Sequence, residues 1–397
     1  MKKIISLLFV LISAIFLLGY ENITFVFAAS SEDEAYQELE KEVESITGDF
    51  DFSALDDYVK SLSADENLFF SGTSFKEKLS QILSGEFSGG FDSVWQAFLN
   101  LFLDKLLNFL PALSLIIAVS ILSSFFMGVK TKSSGVGDTI HLICFGVIAT
   151  IVTKFVCTFI ASTISILNMQ TGISEILFPI LLTLIASMGG AVSGSVYQPA
   201  VLIFTSAILK LFSTVLISLF IFSFVFSLIS SFSTKIKFKK FADFFASSFK
   251  WILGIVFFLF MSYLALQGIT SSTFDSMKIR TAKFAVRNYV PLLGGYLSEG
   301  FDFILSGLML VKGAVGVAGI LLIFGIIIPP LLSMIIFSLG LKLASGIVEA
   351  ICDERITNFL SGASKSISLL ISIILGASFM FLIIIGLLIL TLNGAGI

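Results

Sequence analysis

The sequence predicts an all-α, polytopic helical membrane protein of about six to eight spans, preceded by a signal peptide and a small acidic helical exported segment. Three observations predict it. Mean hydropathy is +1.04, with 56% hydrophobic and only 13% charged residues, where a soluble domain has about a quarter of its residues charged. The apolar residues form long runs of Leu, Ile and Phe without short alternating polar segments. A bilayer-crossing backbone must satisfy its own hydrogen bonds, so such runs point to helices and not to a barrel. Charge is also segregated: between Ala29 and Lys105 stand 17 acidic residues against 5 basic, within a chain whose formal net charge is only -3.

The chain starts with Lys2-Lys3, an apolar run from Ile4 to Leu18, and Val26-Phe27-Ala28 before Ala29. This is the pattern of a secretory signal peptide, residues 1–28, with an uncleaved anchor as the alternative. Residues 29–105 form the acidic extracytoplasmic segment. Its apolar positions fall on helical stripes: Tyr36, Leu39, Val43 and Ile46, then Leu55, Tyr58, Val59 and Leu62. Ser74-Phe75-Lys76-Glu77 reads as a capping box opening a third helix with Leu79, Ile82 and Leu83. Each helix has one apolar stripe, so they should pack on each other, on the membrane surface or on a partner.

Residues 106–161 read as a first membrane hairpin, Leu106 to Met127 inward past Lys130 and Lys132, then Ile140 to Ala161 outward. The run from Pro199 to Ser231 exceeds the roughly 20 residues a span needs and is either one tilted helix or a tight pair. Ala314 to Val348 is as long and contains Pro329-Pro330, which removes two backbone donors and predicts a broken helix or a pair. Lys235, Lys237, Lys239 and Lys240 mark a cytoplasmic loop. Phe238, Phe241, Phe245 and Phe249 beside them predict a helix lying on the inner leaflet. Trp251 to Gln267 and Leu369 to Leu390 lead outward, placing both ends of the mature chain outside. Lys278, Arg280, Lys283 and Arg287 oppose that topology. Either the parity is off by one span, or the acidic segment pairs with them.

Residues 172–270 and 284–390 read as two copies of one unit, as in membrane proteins built from duplicated halves. Phe178-Pro179-Ile180-Leu181-Leu182 is echoed by Val290-Pro291-Leu292-Leu293-Gly294, and Ser193-Gly194 by Ser306-Gly307. Asp243 to Lys250 is likewise echoed by Asn358 to Lys365. Chance matching in a restricted apolar alphabet is the alternative. Asn288, Pro291, Gly294 and Gly295 form the clearest motif, because proline restricts its predecessor while glycines allow a turn or a close helix approach.

Lys154, Glu175, Lys210, Lys312, Lys342 and Glu349 lie in or near apolar runs. There a charge costs at least about 2.5 to 3.5 kcal/mol unless paired or hydrated, which makes each a functional candidate. Snorkelling of the lysines, or pairing for packing alone, is the plainer reading. Lys342 and Glu349, seven apart, share a helical face.

The signal peptide, Ser74-Phe75-Lys76-Glu77 ahead of Ile82-Leu83-Ser84-Gly85-Glu86, and the Phe178 to Leu184 run resemble the stage III sporulation protein AE family of endospore-forming bacteria. The stretches from Lys283 through Asn288-Tyr289-Val290-Pro291-Leu292-Leu293-Gly294-Gly295 and from Lys312 to Gly319 strengthen the resemblance, which covers essentially the whole chain. It implies a multi-pass mother-cell protein in the membrane facing the engulfed forespore. There it would be a structural or channel subunit of a secretion-like complex, needed for spore development after engulfment. The implied partners are the other stage III sporulation A-operon proteins and, directly or through them, stage II sporulation protein Q. The family supplies no catalytic residues.

The residues themselves point to no enzyme, cofactor or metal. His141 is the only histidine, and no P-loop or G-x-S-x-G elbow is present. Cys144, Cys157 and Cys352 lie in or beside apolar spans, and the acidic segment has no cysteine, so no disulfide framework is implied. The lipid bilayer is an expected partner and nucleic acid is not. A stand-alone secondary transporter remains the alternative function, suggested by the repeats, the interrupted apolar runs and the buried charges.

Overall fold

The computed structural model describes residues 48, 50–62, 69–70, 73–84, 91–128, 134–232, 238–289, 294–350 and 354–392. The signal peptide and the first exported helix lie outside the described residues. Two short helices, α1 (Ser53–Ser61) and α2 (Phe75–Leu83), precede six long ones. These are α3 (Phe91–Gly128), α4 (Ser134–Ser187), α5 (Ala191–Phe232), α6 (Lys239–Tyr289), α7 (Gly294–Glu349) and α8 (Glu354–Leu390). All six are long and apolar enough to cross a membrane, and no strand occurs among the described residues. The protein is an all-α polytopic membrane protein. At 1.5 Å per residue the 54 and 56 residues of α4 and α7 extend to about 80 Å, well beyond a hydrocarbon layer of roughly 30 Å.

The capping box is formed as the sequence predicts. Ser74 Oγ accepts from Glu77 N at 3.1 Å, and Glu77 Oε2 accepts from Ser74 N at 2.9 Å. Asp56 of α1 accepts from Lys76 N at 3.1 Å, so a carboxylate stands at the positive end of α2 and ties the two helices together. Their stripes close on each other and on the bundle. Leu55, Val59, Phe75 and Leu79 are buried, and Tyr58 Oη donates to Met169 O of α4 at 2.9 Å.

Three pairs of helix ends meet at one end of the bundle. Ser123 and His141 meet at 2.9 Å between α3 and α4, Phe145 packs on Phe232 and Phe359, and Ser345 of α7 donates to Thr357 O of α8 at 3.1 Å. The core runs along α7 and α8, whose apolar windows are 50% and 56% buried against 17% for α6. Exposed Leu103, Leu107, Phe125, Trp251 and Phe258 form part of the apolar outer surface that faces lipid.

Of the two forms expected for the run from Pro199 to Ser231 the structure has the single helix, α5, which widens into π turns at Ile203–Ile208 and Phe212–Leu216. Other expectations change. The break at Pro329-Pro330 does not occur: α7 continues through both prolines. Ser333 Oγ donates to Pro329 O at 3.0 Å, and Phe337 just beyond is held by Phe109, Phe155 and Phe159. Neighbouring helices and serine side chains can hold such a helix together inside a bundle. In place of a separate surface helix stands the start of α6: Phe238, Phe241 and Phe245 pack on Phe226 of α5 at centroid distances of 5.6 to 5.7 Å, Phe241 stays 55% exposed, and Phe249 is fully buried. Finally, α4 passes without interruption through 161–172, where the first hairpin was expected to end.

Candidate functional site

The end opposite the hairpins is built around a glycine pair. Helix α4 closes in a Schellman turn, with Gly189 N donating to Ala186 O and Gly190 N to Ile185 O, both at 2.9 Å. Gly189 has φ +86, a conformation open to glycine at no steric cost. At Gly190 a Cβ would stand 2.6 Å from Leu392 Cδ1 and 2.8 Å from Ile185 O. The turn is thereby pressed against the end of α8.

Helix α5 starts at once, with no side-chain cap from its own N-cap residue, Gly190. Asp275 of α6 supplies one. Its Oδ2 accepts from Ser193 N at 2.6 Å and its Oδ1 from Val192 N at 3.3 Å, and the side chain is fully buried. Two amides that would otherwise lack partners are satisfied by an anion lying at the positive end of the helix dipole.

The mirror arrangement closes α8. The ammonium of Lys312, fully buried in α7, donates to Thr391 O just past the last helical residue. Thr391 N and its hydroxyl both donate to Leu387 O, at 3.0 and 2.7 Å, and Leu392 follows at φ 67. A cation at the carbonyl end of a helix is the favourable sign. Asp275, Lys312, Gly190 and Leu392 thus draw α4, α5, α6, α7 and α8 together, with one buried charge of each sign bonded to backbone.

Lys312 is the one buried residue of the six candidate charges. Lys154, Glu175, Lys210, Lys342 and Glu349 are exposed, with Lys154 on the rim of a cleft. Asn288 lies in the last turn of α6, while Gly294 and Gly295 open α7; Pro291 falls outside the described residues. The helix boundary expected at this motif is therefore present. The sequence reading missed Asp275, whose signal was a lone carboxylate after Gly268-Ile269-Thr270-Ser271-Ser272, and it missed the Gly189-Gly190 doublet. It also missed the paired serines Ser338 and Ser364, which bond each other at 2.9 Å, and Gln170, which donates to Ser378 Oγ at 2.7 Å.

Chemically this arrangement fixes helix ends. Its carboxylate and its ammonium are both engaged with main chain. Among the described residues no three His, Cys, Asp or Glu side chains gather as a metal would require.

The Stage III sporulation protein AE of Bacillus subtilis (strain 168) is 27% identical over 205 residues, which are 52% of this chain and 51% of that protein. The aligned region therefore spans about half the length of that curated relative. No solved structure matches the chain. A family model described as Stage III sporulation protein AE matches residues 73–391, a range that runs from the capping box of α2 through Asp275 and Lys312 to Thr391. With four fifths of its length covered in this way, the chain belongs to the stage III sporulation protein AE family.

Proposed function

We propose that the chain is a membrane-embedded structural or channel subunit of a sporulation secretion-like complex. It sits in the mother-cell membrane facing the forespore, with the acidic segment on the extracytoplasmic side. Its partners are the other stage III sporulation A-operon proteins and, directly or through them, stage II sporulation protein Q. The role is not enzymatic. The observation that supports this reading is family membership across residues 73–391. A bundle whose buried charges tie helix ends together suits a scaffold that must hold its shape within an assembly.

Deleting the gene is expected to leave vegetative growth unchanged and to arrest spore development after engulfment. A tagged chain purified from sporulating cells should bring stage III A-operon proteins with it. A vegetative growth defect tied to one nutrient, with the chain purifying alone, would establish a stand-alone transporter instead.

A further inference from the structure

Helices α3, α4 and α7 leave between them a cleft of about 180 Å³. Lys154, Thr158 and Ser162 line one wall at successive i, i+4 positions of α4, and Ser333 faces them from α7. Phe109, Phe155 and Phe159 form the apolar part of the lining. Two of the hydroxyls already donate within their own helices, Thr158 to Lys154 O at 3.2 Å and Ser333 to Pro329 O at 3.0 Å. The only charge in the lining is that of Lys154, which has no ion-pair partner among the described residues. The lining therefore carries one cation and no carboxylate.

The surroundings narrow the choice of ligand. On α3 the neighbours of Phe109 include Leu107 and Leu110, 62% and 47% exposed, and α7 adds exposed Leu339 and Leu343. Exposed leucines beside a cation suit a lipid, which has acyl chains for the one and a charged headgroup for the other. A cleft of this size would take a phosphate with its ester arms and leave acyl chains to lie along the exposed leucines. We propose that this cleft seats the phosphodiester of an anionic phospholipid, with Lys154 as the cation that selects it. The lipid would bridge α3, α4 and α7 beside the double proline.

The test uses the full chain, purified in mild detergent, delipidated, and offered phosphatidylglycerol or phosphatidylcholine while retained lipid is counted by native mass spectrometry. Wild type should prefer phosphatidylglycerol. Lys154→Gln should lower that preference about fivefold, the effect of one basic residue near an anionic headgroup. Lys154→Arg should keep it, and so should Lys210→Gln, which changes an exposed lysine on α5 away from the cleft. Equal preference in Lys154→Gln and wild type would overturn the proposal and leave Lys154 as a snorkelling side chain. Displacement of phosphatidylglycerol from wild type by excess inorganic phosphate would also overturn it, by showing a site for a free anion. Should Lys154→Gln lose helix content by circular dichroism, Thr158→Leu narrows the same cleft and keeps the charge. Reduced retention of phosphatidylglycerol in that variant supports the proposal, and unchanged retention overturns it.

Discussion

The hairpins α5–α6 and α7–α8 are built alike and used differently. Each pairs two long helices, the first of which carries a local feature near its middle. In α5 it is the pair of π turns around Lys210, and in α7 it is Pro329-Pro330, through which the helix continues. The second hairpin is the more apolar of the two and also the more buried, 50% and 56% against 33% and 17%. Small residues let it close on its neighbours. A Cβ on Gly316 would overlap Ile389, one on Gly319 would overlap Leu177, and one on Gly340 would overlap Leu113. Gly194 and Gly254 of the first hairpin have open space around them. Inside a bilayer, helices gain nothing from leaving water, so association follows close backbone approach and interhelical polar contacts.

The comparison is broken most directly at Gly316. Gly316→Leu drives a side chain into the β-branched Ile389 and should destabilise the bundle by at least about 1–3 kcal/mol, read as loss of folded protein on heating in detergent. Gly254→Leu should behave as wild type. Equal losses would mean that the two hairpins pack alike after all.

A smaller effect is expected at the buried ammonium. Lys312→Met removes the donor to Thr391 O, and relief of burying a charge offsets part of that loss, leaving a net destabilisation of about 1 kcal/mol. Lys210→Met in the first hairpin should fall within about ±0.5 kcal/mol. Steric-trapping or denaturant titrations of the two variants side by side would show the difference, and parity between them would remove the distinction between buried and exposed cations. The smallest effect is at the serine pair. Ser338→Ala should cost about 0.6 kcal/mol, typical of one interhelical hydrogen bond in a membrane protein. Ser218→Ala, which loses only a bond to Thr214 O within α5, should be silent in the same titration.

Features encoded within a few residues were legible in the sequence. The capping box at Ser74 needs only four residues, and the boundary between α6 and α7 follows from Tyr289-Val290-Pro291 and the glycines after it. Features that depend on neighbours were not. Pro329-Pro330 would interrupt a lone helix, but α7 is held by Ser333 and by the phenylalanines around Phe337. The phenylalanines after the lysine loop form a genuine stripe, and three of them, Phe238, Phe241 and Phe245, pack on Phe226 of the preceding helix. Of six candidate charges one is buried, because both sides of a membrane helix are apolar and sequence alone does not tell the inner stripe from the outer. Asp275 escaped notice since the amides it caps lie 82 and 83 residues earlier.

That separation sets an order on how the protein is made. The first turn of α5 leaves the ribosome long before its cap does, by about 4–17 s at 5–20 residues per second. Throughout that interval Val192 and Ser193 have no Asp275 to receive their amide protons. The Gly189-Gly190 turn can form early, but the start of α5 is secured only when the far end of α6 has been delivered to the same side of the membrane. The carbonyl end of α8 meets Lys312 later still, at the last residues of the bundle. Final closure of the glycine end is thus a late event of biogenesis, and a nascent chain halted before Asp275 would present an open, incompletely bonded end to the insertion machinery.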